Sequence, residues 1–543
     1  MEKETFKDSI VSDYMNKHFI NIKVDREENP EIDNIYMTAT QMMTGSGGWP
    51  LNVVCLPNGK PIYGGTYHTK EQWVDILNKI QNVYENDKTK LVKLADQIMS
   101  GIQEINHFEY DEDPPVITSE TLHNEMKIWS GRWDSIHGGE KTAQKFISPV
   151  KFNYIQQYQY LNNDNKIKNY FEKSLQNIAN SGIVDHLEGG FYRYTVEDEW
   201  KIPHFEKMLY DQAQMISLYS KAYKIFKKES YKDVVYKTIS FLKSKLSTKN
   251  GLFFAAMDAD TDGEEGKYYS FQKEELEKIS GSTDFELFTS YYNIELSNPW
   301  EDDKYLLLPN EYSLEDDWIN LNNISKNELD DFKSEWIKNI LEIKSKRTKP
   351  RIDDKIIISW NSLAIIGLID AYEAFKDDDF LNIAVNMFDE LEKNSFRKNK
   401  LIHTYKENQY QEGVLEDYAY FSKASMKLFQ ATGLESYFNF SKKITDQALE
   451  IYKDNNSDLL FYSDNEELFS KVISIDDGVI PSPNSIIAEQ LYNIGHVIFD
   501  DYYLDLSDKM VSSVKDIIDG NINSYSVWAN NILNRVESFY EIA

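Results

Sequence analysis

The sequence predicts a mostly α-helical protein, in which paired helices form a solenoid or a closed toroid behind a smaller α/β region. After residue 116, segments with helical hydrophobic spacing recur in pairs of similar length, joined by short polar or glycine-containing loops. The strongest strand signal is confined to residues 51–64, well before those helices. A chain of 543 residues could hold several domains, although a large helical barrel could absorb most of it as one.

Charge and cysteine content narrow the functional classes. The formal net charge of -31, from 59 Lys and Arg against 90 Asp and Glu, argues against a nucleic-acid partner, because phosphate contacts need clustered cations. The single cysteine, Cys55, excludes an intrachain disulfide and a cysteine-based metal site, and favours a reducing compartment. The first twenty residues carry charges throughout, so neither a signal peptide nor a membrane span is expected. We therefore expect a soluble cytoplasmic protein without a membrane partner.

The first hundred residues are predicted to combine helices with short strands. Helical spacing predicts a helix over 1–17, and the alternation in FINIKVD predicts a strand over 19–25. A turn at 57–60 separates two predicted strands, 51–56 and 61–64, and further helices are predicted over 30–43 and 70–103. The acidic stretch 110–115, which ends in two prolines, is a predicted linker. This order resembles a thioredoxin-like domain that lacks its first strand, and in that fold the proline before the strand, here Pro50, is usually cis.

The helical region is predicted from spacing and from the loops between helices. The predicted helices are 118–130, 148–161, 164–180, 203–226, 228–246, 325–345, 355–375, 378–392, 413–431, 433–452, 483–499, 501–518 and 522–539. Unusual residues concentrate in the loops of alternate pairs, such as GGFYRY, FFAAMDADTDGEEGKYYSF and DGVIPSPNSII. If the pairs close into a ring, these loops converge at one end, and we expect a cleft there.

The stretch from Asp185 to Gln214 has the densest collection of polar and aromatic side chains. Proline suits the first turn of a helix, so a helix is predicted to start at Pro203. Such a helix would place His204, Lys207, Asp211 and Gln214 on one side, because residues three, four and seven apart lie above one another. A buried helix with a polar stripe of this kind usually lines a cavity.

Seven blocks of sequence, in order, carry a family resemblance. They are VDREENPEIDNIYM, TGSGGWPLNVVCLPNGKPIYGGTY, GGFYRYTVEDEWKIPHFEKMLYDQAQ, DADTDGEEGKYY, DDKIIISWNSL, LEDYAYF and PSPNS. Over nearly its whole length the chain resembles the spermatogenesis-associated protein 20-like family. The resemblance implies a thioredoxin-like domain over 1–112 and, over 116–543, an (α/α)6 barrel of the six-hairpin glycosidase-like kind. Barrels of this kind are related to glycosidases and to N-acylglucosamine 2-epimerase-type enzymes.

The chain departs from the family pattern at both ends. Family members carry a Cys-x-x-Cys pair just upstream of the segment that matches residues 1–4, and they continue beyond the final YEIA. We therefore expect a fragment or a truncated product. Cys55 has no partner, so thiol oxidoreductase activity is not expected in this chain. The missing first strand would leave a sheet edge or core face open unless another element covers it.

The candidate catalytic residues are histidines and carboxylates, because a histidine tuned by a neighbouring acid suits proton transfer at a sugar. For His186, His204, Glu206 and Asp211, the alternative is a buried polar network that holds loops against helix starts. For Asp258 and Asp260, the alternative is a solvated acidic loop. The candidates are His186, His204, Glu206, Asp211, Asp258 and Asp260.

The candidate substrate-binding residues are aromatic rings that could stack on sugars, polar groups that could bind hydroxyls, and an arginine that could hold an anion. Ordinary core packing, ion pairing and helix capping are the alternatives. The candidates are Tyr192, Arg193, Trp200, Trp360, Asn361, Glu416 and Asp417.

No cofactor or metal is expected. The Gly pairs lack the spacing of a phosphate-binding or dinucleotide motif, and residues 258–265 do not complete a calcium loop. The favoured hypothesis is a carbohydrate-processing enzyme, either a sugar isomerase or epimerase or a glycoside hydrolase, acting on a sugar-like small molecule. A non-catalytic module that binds a ligand or protein partner is the alternative. The enzyme hypothesis requires His186, His204 and the carboxylates at 258–260 to converge in one cleft.

Overall fold

The computed structural model describes residues 1–108, 118–309, 315–406 and 409–536. The predicted linker, 110–115, lies outside these ranges, so the domain boundary remains a prediction. No helix in the described ranges is both long and apolar enough to cross a membrane.

The N-terminal region packs helices against one short hairpin. Val11, Val54, Trp73 and Leu77 are among the residues of its small core. Its elements are α1 (Ser9–His18), α2 (Pro30–Thr44), β1 (Asn52–Cys55), β2 (Pro61–Gly65), α3 (Lys70–Asn86) and α4 (Lys88–Ile105). The predicted hairpin is confirmed, since β1 pairs antiparallel with β2, and the Trp49–Pro50 peptide bond is cis.

The strand predicted over 19–25 is wrong. These residues have no regular secondary structure, and Ile20 and Ile22 are 91% and 79% exposed. A strand needs a hydrogen-bonding neighbour as well as an alternating pattern. Within the described ranges β1 pairs only with β2, so the sheet offers residues 19–25 no neighbour.

The first part of the helical region contains four short strands between helices. Its elements are α5 (Ser119–Ser130), β3 (Lys145–Phe146), α6 (Pro149–Asn162), α7 (Asn165–Ala179), β4 (Tyr194–Thr195), β5 (Pro203–His204), β6 (Lys207–Met208), α8 (Leu209–Phe226) and α9 (Glu229–Phe241).

An inserted segment, 256–345, follows, and its part from Phe271 onward has a separate core around Trp336. Of its helices, only the last, over 325–345, was predicted from the sequence. Its elements are β7 (Ala256–Met257), β8 (Asp260–Thr261), β9 (Glu264–Glu265), β10 (Phe271–Gln272), α10 (Lys273–Ser280), α11 (Phe285–Tyr291), β11 (Lys304–Tyr305), α12 (Glu315–Asn322) and α13 (Lys326–Ser345).

The remaining elements complete the helical region. They are β12 (Ile352–Asp353), β13 (Ile356–Ile357), α14 (Ile358–Phe375), α15 (Asp378–Asn394), β14 (Phe396–Arg397), β15 (Lys400–Lys406), β16 (Gln409–Glu412), α16 (Leu415–Thr432), α17 (Glu435–Ile451), α18 (Pro483–Ile498), α19 (Asp501–Ser513), α20 (Lys515–Ile518) and α21 (Ser526–Val536).

The helices close into a double ring. In the described ranges the inner ring is α6, α8, α14, α16, α18 and α21, and α21 returns to contact α6. An outer helix packs on each of them, in the order α7, α9, α15, α17, α19 and α5. The predicted (α/α)6 barrel is therefore confirmed as the architecture. Inner helices are buried on all sides and outer helices on one side. Inner α14 is buried at every residue from Ile358 to Ala371, whereas outer α15 buries only one stripe.

Side-chain amides tie loops to the starts of three inner helices. Gln212 bonds both the N–H and the C=O of Phe191, at 2.7 and 2.8 Å. Asn361 does the same for Phe253, at 2.9 and 3.0 Å, and Asn484 for Leu460. Asn361 is fully buried in this role, so its amide serves as a loop anchor and not as the predicted hydrogen-bonding group for a sugar.

The helix predicted to start at Pro203 begins at Leu209 instead. Residues 203–204 pair with β4, and residues 207–208 pair with β7. In an extended segment successive side chains point to opposite faces. His204 and Lys207 therefore lie on different sides of the chain, and the predicted polar stripe does not form.

Candidate functional site

Polar side chains gather at the end of the barrel where the inner helices begin, which we call the N-terminal face. Asp211 lies in the first turn of α8, and Glu416 and Asp417 lie in the first turn of α16. Helix N-termini carry partial positive charge and stabilise acidic groups. This face holds two clusters, each centred on a histidine.

The His204 cluster comprises Arg193, His204, Glu206, Asp211 and Glu265. His204 Nδ1 lies 2.6 Å from Glu265 Oε1, its Nε2 lies 3.7 Å from Glu206 Oε2, and its ring stacks on Tyr194. Burial alone would lower the pKa of His204, but the two carboxylates raise it to about 9. His204 is therefore an imidazolium at neutral pH.

The acids of this cluster differ in protonation. Glu206 accepts a 2.8 Å bond from Arg193 Nη1; burial acts to raise its pKa, but His204 and Arg193 hold it below the usual value. Asp211 is 3% exposed, and burial raises its pKa well above the ordinary value. At neutral pH Glu206 is therefore a carboxylate, whereas burial favours the protonated form of Asp211. Asp211 Oδ2 and Arg193 Nε have no hydrogen-bond partner among the described residues.

The His403 cluster comprises Ser359, His403, Glu416, Asp417 and Tyr462. His403 Nδ1 donates to Asp417 Oδ2 at 2.9 Å, and its Nε2 donates to the Glu27 carbonyl oxygen at 3.0 Å. Both ring nitrogens face acceptors, so the ring is held doubly protonated. Burial opposes this charge, but Asp417 raises the pKa of His403 to about 9.

Donors surround the two acids of the His403 cluster. Asp417 accepts the backbone N–H groups of Ser359 and Val414, at 3.1 and 3.0 Å. Glu416 accepts hydroxyl bonds from Ser359 Oγ at 2.9 Å and Tyr462 at 3.0 Å. Burial raises the pKa of Glu416. This network is buried and hydrogen-bonded on all sides, which makes it rigid.

The same three groups approach the geometry of a cation site. Ligand atoms of His403, Glu416 and Asp417 lie within 4.8 Å of one another. A metal ligand must present a lone pair, however, and His403 Nδ1 carries a proton directed at Asp417. The arrangement is that of an ion pair, and it would have to break before an ion could bind.

The His403 cluster is covered by residues 25–33 of the N-terminal region, called here the cover segment. Lys355 Nζ lies 2.8 Å from Asp25 Oδ2, and the Glu27 carbonyl rests on His403. Between the clusters, Tyr210 packs edge-on against Trp360 at 4.8 Å. The N-terminal region therefore lies directly on the N-terminal face of the barrel.

His186 does not join His204. Its Nε2 donates to the Ser181 carbonyl at 2.9 Å, and burial lowers its pKa to about 4. It borders a small cavity with Phe205 and Lys344, on the other side of the extended segment that carries His204. The predicted pairing of the two histidines is therefore wrong, because residues 203–207 form an extended chain.

The acidic segment 258–265 reaches the His204 cluster, but through a residue other than the predicted Asp258 and Asp260. Asp258 forms an ion pair with Arg351 at 2.9 Å, and Asp260 is exposed in the β8–β9 hairpin, opposite Glu265. Glu265 is the residue that contacts His204. The convergence predicted for His186, His204 and the 258–260 carboxylates does not occur, so the enzyme hypothesis in the form predicted from the sequence is wrong. Glu206 and Glu265 are the carboxylates that lie beside His204 instead.

The predicted aromatic walls are core residues. Trp200 is 1% exposed, and its Nε1 donates to the His137 carbonyl at 3.1 Å. Tyr192 packs edge-on against Phe205 and Tyr269. Trp360 is also buried, although it lies at the N-terminal face. Trp200 and Tyr192 do not reach inward to a cleft.

Lys207 has a structural partner. Its Nζ donates to Asp185 Oδ2 at 2.7 Å and to the Gly189 carbonyl at 2.8 Å. The same arrangement occurs earlier in the chain, where Lys145 Nζ donates to Asp134 and to the Gly138 carbonyl. The dense stretch at 185–214 therefore contains a repeated loop lock as well as site residues.

Sequence reasoning missed Glu265, His403, Ser359 and Tyr462. His403 lies in β15, and nothing in its local pattern distinguishes it from a strand residue. Its partners Asp417 and Glu27 lie 14 and 376 residues away in sequence. Only the acidic motif around Glu265 carried a local signal.

Known proteins match both the N-terminal region and the helical region of the chain. Residues 1–103 match the family model Thioredox_DsbH, described as "Protein of unknown function, DUF255". The chain is 27% identical to human spermatogenesis-associated protein 20 over 91% of this chain and 69% of that protein. It is also 27% identical to an uncharacterized protein of Caenorhabditis elegans, over 94% of this chain and 75% of that protein. The predicted resemblance to the spermatogenesis-associated protein 20-like family is confirmed.

Solved structures with similar helical rings share little sequence with the chain. A D-mannose isomerase aligns over 73% of this chain and 84% of its own, with 11% identity and a TM-score of 0.49. The GH76 α-mannanase BT2949 of Bacteroides thetaiotaomicron aligns over 77% and 94%, with 10% identity and a TM-score of 0.45. At these values neither protein indicates what this chain binds.

Proposed function

We propose that this relative of spermatogenesis-associated protein 20 is a carbohydrate-processing enzyme that transfers protons at a sugar through His204 and Glu206. The observation that carries the proposal is the pairing of opposite protonation states on one partly exposed surface. His204 is an imidazolium and Glu206 a carboxylate, and their side chains are 23% and 25% exposed. One group can give a proton while the other accepts one.

Isomerisation of an aldose uses these two groups directly. Glu206 accepts the proton from the carbon beside the carbonyl, and His204 donates a proton to the carbonyl oxygen, which gives an enediol. His204 then takes back the proton from the neighbouring hydroxyl, and Glu206 returns its proton to the former carbonyl carbon. Protons balance over the cycle, and no oxidant or reductant is consumed.

Two unpartnered atoms support sugar binding at the same cluster. Arg193 Nε is a donor and Asp211 Oδ2 is a carboxyl oxygen, and neither has a partner in the described ranges. A sugar hydroxyl both donates and accepts, so it could satisfy such a pair. Asp211 acts here as a positioning residue beside Glu206.

A second candidate function follows from the cover segment. Glu27 contacts His403 and Asp25 contacts Lys355. The N-terminal face of the barrel can therefore bind the N-terminal region of the chain and not a substrate. In this alternative the protein is a non-catalytic module and the His403 cluster is an interdomain contact.

Solvent exchange separates the two functions. The protein is incubated in D2O with a panel of aldoses and N-acetyl amino sugars, and deuterium at C2 is followed by NMR; nitrophenyl glycosides test hydrolysis in parallel. We expect exchange with at least one sugar, reduced by about a hundredfold or more in His204→Gln and Glu206→Gln. The control His18→Gln, at the partly buried end of α1 in the N-terminal region, should exchange normally. If no sugar exchanges and no glycoside is cleaved, the enzyme proposal is abandoned in favour of the non-catalytic module.

A further inference from the structure

A cavity of about 860 Å³ occupies the centre of the barrel and extends to the end where the inner helices finish. We call it the lysine cavity. Its inner limit is formed by Gln214, which donates to the Val479 carbonyl at 2.8 Å, and by Tyr420, which donates to the Pro481 carbonyl. None of the residues of the His204 and His403 clusters lines the cavity in the described ranges, so we treat it as a separate site.

The charge of the lining is opposite to that of the whole chain. Of the described residues that line the cavity, five are lysines and only Glu489 is acidic, in a protein of net charge -31. The lysines come from three helices, so the concentration is a property of the assembled barrel. They are Lys168, Lys221, Lys224, Lys423 and Lys427.

Nearby acids compensate only part of this charge. Asp370, which is 1% exposed, lies 2.8 Å from Lys427 and 3.2 Å from Lys221. Lys224 pairs with Glu373 at 3.3 Å, and Lys423 pairs with Glu489 at 2.7 Å. Three carboxylates therefore face five lysines, which leaves two positive charges that these acids do not balance. An anionic ligand would balance them.

Helix dipoles do not account for the lysines. Cations are favoured in the last turn of a helix, and Lys224 satisfies this rule in α8. Lys423 lies more than two turns before the end of α16, and Lys168 lies in the first turn of α7, where a cation is disfavoured. Their common feature is that they face the cavity.

The polar lining also contains unsatisfied groups that suit hydroxyls. Gln156 is 6% exposed and lines the cavity, yet its Nε2 has no hydrogen-bond partner in the described part of the chain. Asn530, across the lining, has an unpartnered Oδ1. Buried polar groups are normally satisfied by protein, water or ligand. A hydroxyl-bearing ligand offers both an acceptor for Gln156 and a donor for Asn530.

We infer that the lysine cavity binds a polyhydroxy compound of about monosaccharide to disaccharide size that carries a phosphate or a carboxylate. The volume lies within the range typical of small-molecule sites. The lysines bind the anionic group, the amides bind hydroxyls, and Leu363 and Ile366 provide apolar surface for the carbon skeleton. This site is independent of the proton-transfer site at the N-terminal face.

Calorimetric titration of the full chain with four probes tests the inference. Glucose 6-phosphate and glucuronate distinguish a phosphate from a carboxylate, glucose alone lacks the charge, and inorganic phosphate lacks the hydroxyls. We expect at least one of the two charged sugars to bind about tenfold or more tightly than both glucose and inorganic phosphate, as expected for charge-assisted bonds made together with neutral ones. Binding should weaken as ionic strength rises.

Matched charge variants locate the binding. Lys224→Gln and Lys221→Gln, whose side chains are 47% and 38% exposed, should each weaken binding by about tenfold while the protein stays folded. Lys243→Gln removes the same charge from an exposed residue of the outer layer and should leave binding unchanged. His204→Gln should also leave it unchanged, because that residue lies at the other end.

Four results would overturn the inference. Neither charged sugar binds; inorganic phosphate alone binds as tightly as the charged sugars; the two cavity variants bind like Lys243→Gln; or His204→Gln abolishes binding, which would place the ligand at the N-terminal face. The first three leave the proton-transfer proposal unaffected, so failure of one proposal is distinguishable from failure of the other.

Discussion

The two ends of the barrel use ionisable side chains in opposite ways. At the N-terminal face, His403 and Asp417 are 2% and 0% exposed, bonded on every side, and covered by the N-terminal region. At the other end, lysines surround an open cavity and outnumber the nearby acids. The His403 charge has all its partners supplied by the protein, whereas the lysines around the cavity are in excess over the nearby acids and are, in our proposal, available to a ligand.

The largest contrast is expected from removing one acid at each end. Asp417→Asn leaves the buried His403 without its counter-charge and should destabilise the protein by about 3 kcal/mol or more. Glu489→Gln removes the partner of Lys423 from a pair whose side chains are 23% and 25% exposed, and should cost less than about 1 kcal/mol. Denaturant unfolding measures both, and equal losses would contradict the contrast.

The pH dependence of stability is expected to be the next largest effect. The pKa of folded His403 is raised to about 9 from an ordinary value of 6.5, so the folded state binds the extra proton between these values. Its contribution, about 3 kcal/mol, is fully present below pH 6.5 and is lost as pH rises through 9.

Denaturant unfolding across this window tests the assignment to His403. The variant His403→Gln should show a smaller fall in stability between pH 6.5 and 9 than the parent. His204, which is partly exposed, should contribute in the same direction but less. If the parent and His403→Gln lose stability in parallel over this range, His403 is not the group responsible.

His186 is expected to act in the opposite pH direction. Burial lowers its pKa to about 4 in the folded state, so the unfolded chain binds the extra proton between pH 6.5 and 4. The stability associated with neutral His186 is present above pH 6.5 and is lost as pH falls through 4. His186→Asn should reduce that acid sensitivity, which unfolding at a series of acidic pH values would measure.

The smallest effect is expected at the cover segment. The Asp25 carboxylate is 39% exposed, so Asp25→Asn should change global stability by less than about 1 kcal/mol. Hydrogen exchange at residues 355–361 should nevertheless quicken if the ion pair with Lys355 helps hold the cover in place. Exchange unchanged from the parent would mean that the Glu27–His403 contact alone is sufficient.

Much of the architecture was predictable, because paired helices with hydrophobic spacing dictate layers of helices. The β1–β2 hairpin was predictable because its turn residues are local. The segments 19–25 and 203–208 were misassigned for one reason, that strand formation depends on a distant partner. Residues 19–25 have none in the described ranges, whereas residues 203–208 find theirs at 194–195 and 256–257.

The site was less predictable than the fold. Sequence reasoning identified His204, Glu206, Asp211 and Arg193, which the structure brings together, because acids and a histidine crowd one stretch. It paired His204 with His186 because a helix was assumed where the chain is extended. Glu265 replaced Asp258 and Asp260 because hairpin geometry, which the sequence does not specify, decides which acid reaches the ring.

The most direct test of the account is an NMR titration of the His204 ring, with its signal assigned by comparison with His204→Gln. The expected pKa is near 9, set by Glu206 and Glu265, so that the ring is an acid beside a carboxylate at neutral pH. A titration at the ordinary value of 6.5 would contradict it, because His204 would then be neutral and would have no proton to donate.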